Sequence, residues 1–101
     1  MTLNAIQRII PAPELITAMT GSNTLIGTLI APPTLIIFDN QSTSAVVISI
    51  NGVSWKTFPG GEALVLDGVT NNFKFNKGDQ FFGNGAAAGS FSIAYLYVTS
   101  P

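Results

Sequence analysis

The stretch that decides the fold is residues 34–67, which read, in order, TLIIFDN, QSTSA, VVISI, NG, VSWKTF, PGG and EALVLD. The apolar segments are short and rich in β-branched side chains, and Asn, Ser, Gly and Pro separate them. This pattern is typical of β-strands joined by tight turns. Asn51-Gly52 is the strongest hairpin signal, because both residues tolerate a positive φ. The sequence therefore predicts a β-meander in the middle of the chain.

Two kinds of strand are distinguishable within this stretch. Residues 35–38 are four apolar side chains in a row, which predicts a strand covered on both faces. Residues 46–51 instead alternate, which predicts a strand with one buried face. The polar segment 40–44 between them predicts a loop.

The rest of the chain shows the same pattern of short predicted strands separated by turn residues. Residues 24–30 predict a strand in which Gly27 marks a bulge or a close backbone approach. The small residues of 83–89 predict a hairpin loop, and 90–99 predict a long central strand. With about seven to nine short strands and no helix signal, the sequence predicts an all-β fold, a single antiparallel β-sandwich or jelly-roll-like domain.

At 101 residues the chain is expected to form one domain. We expect residues 1–13 to be an extended N-terminal arm that ends at Pro11-Ala12-Pro13, and residues 14–101 to be the β-sandwich domain. The apolar residues Ile6, Ile9 and Ile10 predict that the arm docks on something. Its own sheet and a neighbouring subunit are both open at this point.

The charge content is unusually low. Four basic and five acidic residues make up 9% of the chain, whereas about 25% is ordinary for a soluble domain. Because 47% of the residues are hydrophobic, we infer that much of the outer surface is covered by other protein. The alternative is a monomer that is solvated by Ser, Thr and Asn.

Composition also argues against several functions. A net charge of -1 with scattered cations gives no footprint for nucleic acid or for an anionic membrane. No apolar run reaches the roughly 20 residues of a membrane-spanning helix, and Asn4, Gln7 and Arg8 do not fit a signal peptide.

Reaction chemistry also lacks its usual groups. The chain has no Cys and no His, and its carboxylates are spread over separate turns. The glycines of 83–89 do not fit a phosphate loop, because neither a Lys-Ser/Thr pair nor a helix follows them. We therefore expect no enzyme activity, no cofactor, no metal and no small-molecule substrate.

Aromatic residues supply the other candidate contacts. Trp55 and Phe58 are three residues apart, so in a regular strand they would lie on opposite faces, with one of them near the surface. Such a residue is a candidate for a protein contact or for stacking on a sugar, and the alternative is that it belongs to the core. Tyr95 and Tyr97 share one strand face, which favours the core.

A set of turn and strand-end motifs runs from about residue 20 onward. They are 25–28 (LIGT), 31–32 (AP), 36–40 (IIFDN), 47–52 (VISING), 58–61 (FPGG), 66–67 (LD), Asn71, 77–81 (KGDQF) and 89–91 (GSF). In this set the chain resembles small β-sandwich structural proteins encoded in the virion gene clusters of tailed bacteriophages. Gly60 stands where Ala is commoner in them, and Asp79 stands where Thr is usual. Both departures lie in turns.

The resemblance implies a multimeric, non-enzymatic component of the virion, assembled in the host cytoplasm. A capsid cement or decoration protein is the first interpretation, with partners that are copies of itself, as a trimer or dimer, and the major capsid protein. The alternative is a head-to-tail connector or tail-associated protein. A third hypothesis is a carbohydrate-binding module for host attachment, in which Trp55 would stack on sugars.

Overall fold

A computed structural model describes residues 8–68 and 74–99, which form nine strands and contain no helix. The predicted all-β class is thereby confirmed. No helix in these residues could cross a membrane. The strands are β1 (Arg8–Pro11), β2 (Leu15–Ala18), β3 (Asn23–Thr28), β4 (Pro33–Asn40), β5 (Val46–Ile50), β6 (Val53–Phe58), β7 (Ala63–Asp67), β8 (Gln80–Gly85) and β9 (Ser90–Thr99).

The strands form two antiparallel sheets packed face to face. Sheet 1 has the order β1-β9-β4-β7, with β2 also paired to β9, and sheet 2 has the order β3-β8-β5-β6. The pairs β2·β9, β3·β8, β4·β7 and β5·β6 are nested inside one another. The chain is therefore one long antiparallel hairpin wrapped into two sheets. The predicted antiparallel β-sandwich is therefore confirmed, and its strand order is that of a jelly roll.

The nesting corrects two predictions about connections. From β2 onward, only β5 and β6 are consecutive strands of one sheet, and the other links in the described chain cross between sheets. The predicted meander is therefore wrong. So is the predicted hairpin at 83–89, because β8 runs through Gly85 in sheet 2 while β9 lies in sheet 1.

The glycines of β8 have a packing role instead of a turn role. Gly83 faces the core, where an added Cβ would lie 3.1 Å from the Met19 Sδ atom. A Cβ on Gly85 would lie 2.8 Å from Val46 Cγ2. The absence of side chains at these two positions lets neighbouring core residues close over the strand.

The core lies between the sheets and is rich in aromatic rings. Phe38 of β4 is at its centre, with ring centroids 5.1 Å from Trp55, 5.6 Å from Phe81 and 5.8 Å from Phe58. The buried apolar residues are Met19, Ile26, Leu29, Ile36, Phe38, Val46, Ile48, Phe58, Phe81, Phe91, Ile93 and Tyr95.

The bulge predicted at Gly27 is confirmed. The β3·β8 register shifts between Leu25 and Gly27, which is the bulge. A Cβ at Gly27 would also lie 2.7 Å from Leu15 Cδ1, so the glycine makes room for the Leu15 side chain of β2, and the close approach is by a side chain and not by a backbone.

The N-terminal segment docks on its own chain over the residues described. Arg8, Ile9, Ile10 and Pro11 pair with Thr99, Val98, Tyr97 and Leu96 of β9, and the Ala12 amide donates to the Tyr95 carbonyl at 2.9 Å. Of the two alternatives for the arm, docking on the sheet of its own chain is therefore correct for residues 8–12. Ile6 lies outside the described residues.

The predicted turn at Asn51-Gly52 joins β5 to β6. Asn51 has φ 52° and Gly52 has φ 86°, the left-handed values of a type I′ hairpin. The Asn51 side chain also accepts a hydrogen bond from the Gln80 amide at 2.9 Å and donates one to Asp79 Oδ1 at 3.0 Å. The tip of the nested hairpin is therefore fastened to the start of β8.

Replacing Gly52 with valine is expected to lower the free energy of unfolding by about 2 kcal/mol, because a β-branched residue is strained at this φ. Urea denaturation measures the change. Gly52→Asn is the matched control, since asparagine tolerates the left-handed region and should lose much less. An equal loss in both variants would contradict the conformational explanation.

Candidate interaction surface

The outer face of sheet 1 carries apolar side chains that the core does not use. In β4, Ile36 and Phe38 are fully buried between the sheets, so Leu35 and Ile37 point to the other side. Both are only half-buried. The prediction that residues 35–38 are covered on both faces is therefore wrong for the single chain. No described strand packs over this side of the sheet.

The register extends this face across four strands. Leu35 lies opposite Leu96 of β9, which pairs in turn with Pro11 of β1. Ile37 lies opposite Ala94 of β9 and Val65 of β7. We name as the apolar face the set Ile9, Pro11, Leu35, Ile37, Val65, Ala94, Leu96 and Val98.

The apolar face has relief. A groove of about 220 Å³ is centred on the small Ala94 side chain and is lined by Pro11, Ala12, Leu35, Ile37, Tyr95 and Leu96. To either side stand Val65 and Ile9, whose side chains are 52% and 66% exposed. A depression and projecting aliphatic groups thus share one surface.

None of the side chains that make up the apolar face is ionisable. Two carboxylates border it on the same side of sheet 1: Asp67 lies beside Leu35 on the edge strand β7, and Asp39 is opposite Ser92 and Ala63. Gln41 Nε2 donates to Asp39 Oδ2 at 3.3 Å, outside the apolar set. Covering the face would therefore remove hydrocarbon from water without burying a charge, which is the favourable case for association.

The outer face of sheet 2 is different in kind. One cross-strand row holds Asn23, Asn84, Val47 and Thr57, and the next holds Leu25, Phe82, Ser49 and Ser54. Polar side chains are the majority in these rows. Exposed apolar residues such as Leu25 and Val47 are therefore interspersed with polar ones on this face, whereas the apolar residues of sheet 1 are contiguous.

The structure separates the predicted contact residues. Ile9 belongs to the apolar face, whereas Ile10 lies opposite Tyr97 on the other side of sheet 1 and is half-buried. Phe58 is fully buried in the core, so its inclusion as a contact residue is wrong. Trp55 is 37% exposed.

A bulge explains why Trp55 and Phe58 do not lie on opposite faces. Ile48 pairs with Lys56 but Ser49 pairs with Ser54, so Trp55 is an extra residue in β6. The Trp55 and Phe58 ring centroids are 6.1 Å apart, and both rings contact Phe38. Trp55 also meets Phe75 edge to face at 5.8 Å. Much of the indole is therefore engaged by the core and is not presented to a sugar.

The described residues, 8–68 and 74–99, hold no group of three or more His, Cys, Asp or Glu side chains placed to bind a metal ion. What the arrangement offers is a contiguous apolar surface on a jelly-roll domain, suited to contact with protein. No family model, curated protein or solved structure matches the chain.

Sequence reasoning missed Leu35, Ile37 and Val65 as contact residues. For Leu35 and Ile37 the apolar run 35–38 was a usable signal. An apolar run predicts cover on both sides of a strand, and a chain without helices has little of its own to supply the second cover.

Proposed function

We propose that this chain is a non-enzymatic structural protein of a tailed-phage virion, and specifically a capsid cement or decoration protein. The observation that carries the proposal is the apolar face, an uncharged surface left open on a domain in which only 9% of residues are charged. Such a surface is stabilised when a neighbouring protein covers it, at about 25 cal/mol per Å² of apolar area.

Two further points support this role. The turn and strand-end motifs resemble those of small virion proteins, and the jelly roll is an architecture that capsid domains use. The jelly roll is only an analogy at the level of the fold, because lectin domains share it. The apolar face is therefore the main support for the proposal. The packing of Trp55 against Phe38, Phe58 and Phe75 gives the glycan-binding alternative little support.

The position of the apolar surface favours a protein of the capsid shell over a head-to-tail connector. A subunit of a ring needs two different complementary surfaces on opposite flanks, because ring contacts are heterologous. Over the described residues, the apolar side chains are contiguous on the outer side of sheet 1 and are mixed with polar ones on the opposite face. A domain of that kind suits contact on one side and solvent on the other.

Quantitative gel analysis of purified particles tests the proposal. Cement predicts a band whose copy number is comparable with that of the major capsid protein, in the hundreds, whereas a ring component would give about six or twelve copies. Absence of the chain from particles would overturn the proposed function. A count of about six or twelve copies would instead assign the chain to the connector or the tail.

A further inference from the structure

We propose that the partner on the apolar face is a second copy of this chain, packed with sheet 1 against sheet 1 about a two-fold axis. The inference deepens the proposed function by naming a partner. Its test uses the isolated protein, so it stands or fails separately from the virion.

The shape of the face is the first argument. In a two-fold interface the same patch serves both partners, so the patch must carry both a projection and the recess that receives it. The groove at Ala94 and the exposed Val65 and Ile9 supply both on one surface. Because Val65 and Ala94 flank Ile37 on neighbouring strands, projection and recess are about 10 Å apart.

The chemistry of the face is the second argument. Two apolar faces that meet place no like charges opposite each other, because Asp39 and Asp67 lie at the border of the face. Stacked sheets pack about 10 Å apart, with their strands rotated by about 30°, and the inward side chains of each interdigitate. A second pair of sheets would thus form on the outside of sheet 1, similar to the pair that already forms the core.

The size of the face is the third argument. Sheet 1 is four strands wide along the path β1-β9-β4-β7, and its strand β4 has 8 residues. At about 3.3 Å per residue and about 4.8 Å between strands, the whole outer side of sheet 1, with the apolar face as its central part, covers at most roughly 500 Å², since β1 and β7 are shorter than β4. Two copies bury up to roughly 1,000 Å² together, which is where specific protein interfaces begin.

Sedimentation velocity of the purified full chain tests the pairing. The wild type is expected to be a dimer at micromolar concentration. Val65→Glu places a carboxylate in the apolar contact and should raise the dimer Kd by roughly 100-fold. Val53→Glu is the matched control, because Val53 is also an exposed valine on an edge strand, 70% exposed, but lies in sheet 2. It should leave the Kd unchanged.

A second variant guards against a folding artefact. Ile9→Glu lies at the opposite edge of the apolar face and should weaken the dimer in the same way. Circular dichroism establishes that each variant is folded before its association is compared.

Several results would overturn the inference. One is a wild-type chain that stays monomeric at high concentration. Another is a dimer that Val53→Glu disrupts and Val65→Glu does not, which would assign pairing to the β6 edge. If the chain is monomeric and Val65→Glu abolishes its incorporation into particles, the face belongs to another virion protein. A dimer that is missing from particles would instead overturn the proposed function alone.

Discussion

Replacing Asn40 with aspartate is expected to lower the free energy of unfolding by about 3–5 kcal/mol at neutral pH. Asn40 ends β4 and is completely buried. Its Nδ2 group donates to the carbonyls of Ser44, Phe58 and Pro59 at 2.9 to 3.0 Å. The amide thereby fastens the loop after β4 to the end of β6.

The substitution keeps the shape of the side chain and removes its donor. Oδ1 can still accept from the amide and the hydroxyl of Ser42, at 3.0 and 2.8 Å. The new second oxygen would face three carbonyl oxygens without a proton between them. Repulsion and burial both disfavour the ionised form, so the pKa of the introduced carboxyl should be raised in the folded state.

The sign of the pH dependence follows from that shift. Below the unfolded pKa of about 3.9 the carboxyl is protonated in both states, and its O–H can donate to one of the carbonyls. As the pH rises, the unfolded state releases the proton first, so unfolding becomes easier. The destabilisation is therefore smallest in acid and grows towards neutral pH.

Urea denaturation at pH 4 and pH 7, each referred to the wild type, measures this prediction. Asn84→Asp is the matched control, because Asn84 is exposed on the outer face of sheet 2. It should change stability little at either pH. A loss at Asn40→Asp that is independent of pH would argue against a buried, donor-deprived carboxyl.

Replacing Phe38 with alanine is expected to lower the free energy of unfolding by about 3–5 kcal/mol. The ring is fully buried and contacts the rings of Trp55, Phe58, Phe75 and Phe81. Removing it leaves a cavity that is bordered by the three rings of sheet 2 and by Phe75, which precedes β8. Since a domain of this size is stable by about 5–15 kcal/mol, the substitution removes a large share of the total stability.

Phe82→Ala is the comparison for Phe38→Ala, since Phe82 is half-buried on the outer face of sheet 2. The side chain removed is the same but less burial is lost, so the cost should be clearly smaller. Denaturant midpoints with unchanged slopes give both values. Equal costs would mean that Phe38 is not at the centre of the packing.

Local features were predictable because their causes are local. The Asn51-Gly52 turn needs two positive φ angles, and few other residue pairs supply them. The bulge at Gly27 and the alternation of 46–50 are likewise visible in a few neighbouring residues. Strand existence therefore follows from the sequence.

Strand partners were not predictable, because alternation shows which face of a strand is buried but not which strand lies beside it. The order β3-β8-β5-β6 rests on pairings across most of the chain. The segment 83–89 illustrates this limit. Glycine is common both in hairpin loops and in strands that are closely approached, and only the three-dimensional neighbours distinguish the two.

Two side chains were misplaced for related reasons. The bulge at Trp55 adds one residue to β6 and changes the face on which its ring lies, and no residue type announces it. Asn40 begins the segment that the sequence predicts to be a polar loop, but it is a buried residue of β4 whose side chain makes several hydrogen bonds. The sequence does not distinguish an asparagine that is exposed in a loop from one that is buried and hydrogen-bonds to the loop backbone.

The candidate surface was predictable in kind but not in position. The low charge content predicts contact with other protein, and Ile9, one of the residues predicted to make such a contact, is exposed. That Leu35, Ile37 and Val65 share its face depends on the β1-β9-β4-β7 register, which the sequence does not state.

The nested pairing also leads us to expect an order in which the strand pairs form during folding. Closing β5 on β6 requires only the Asn51-Gly52 turn, and each outer pair then closes a loop already shortened by the pair inside it. We expect folding to proceed as a zipper from this tip, with β2·β9 joining last. Gly52→Val should accordingly slow refolding, whereas truncations at the β2·β9 end should mainly speed unfolding.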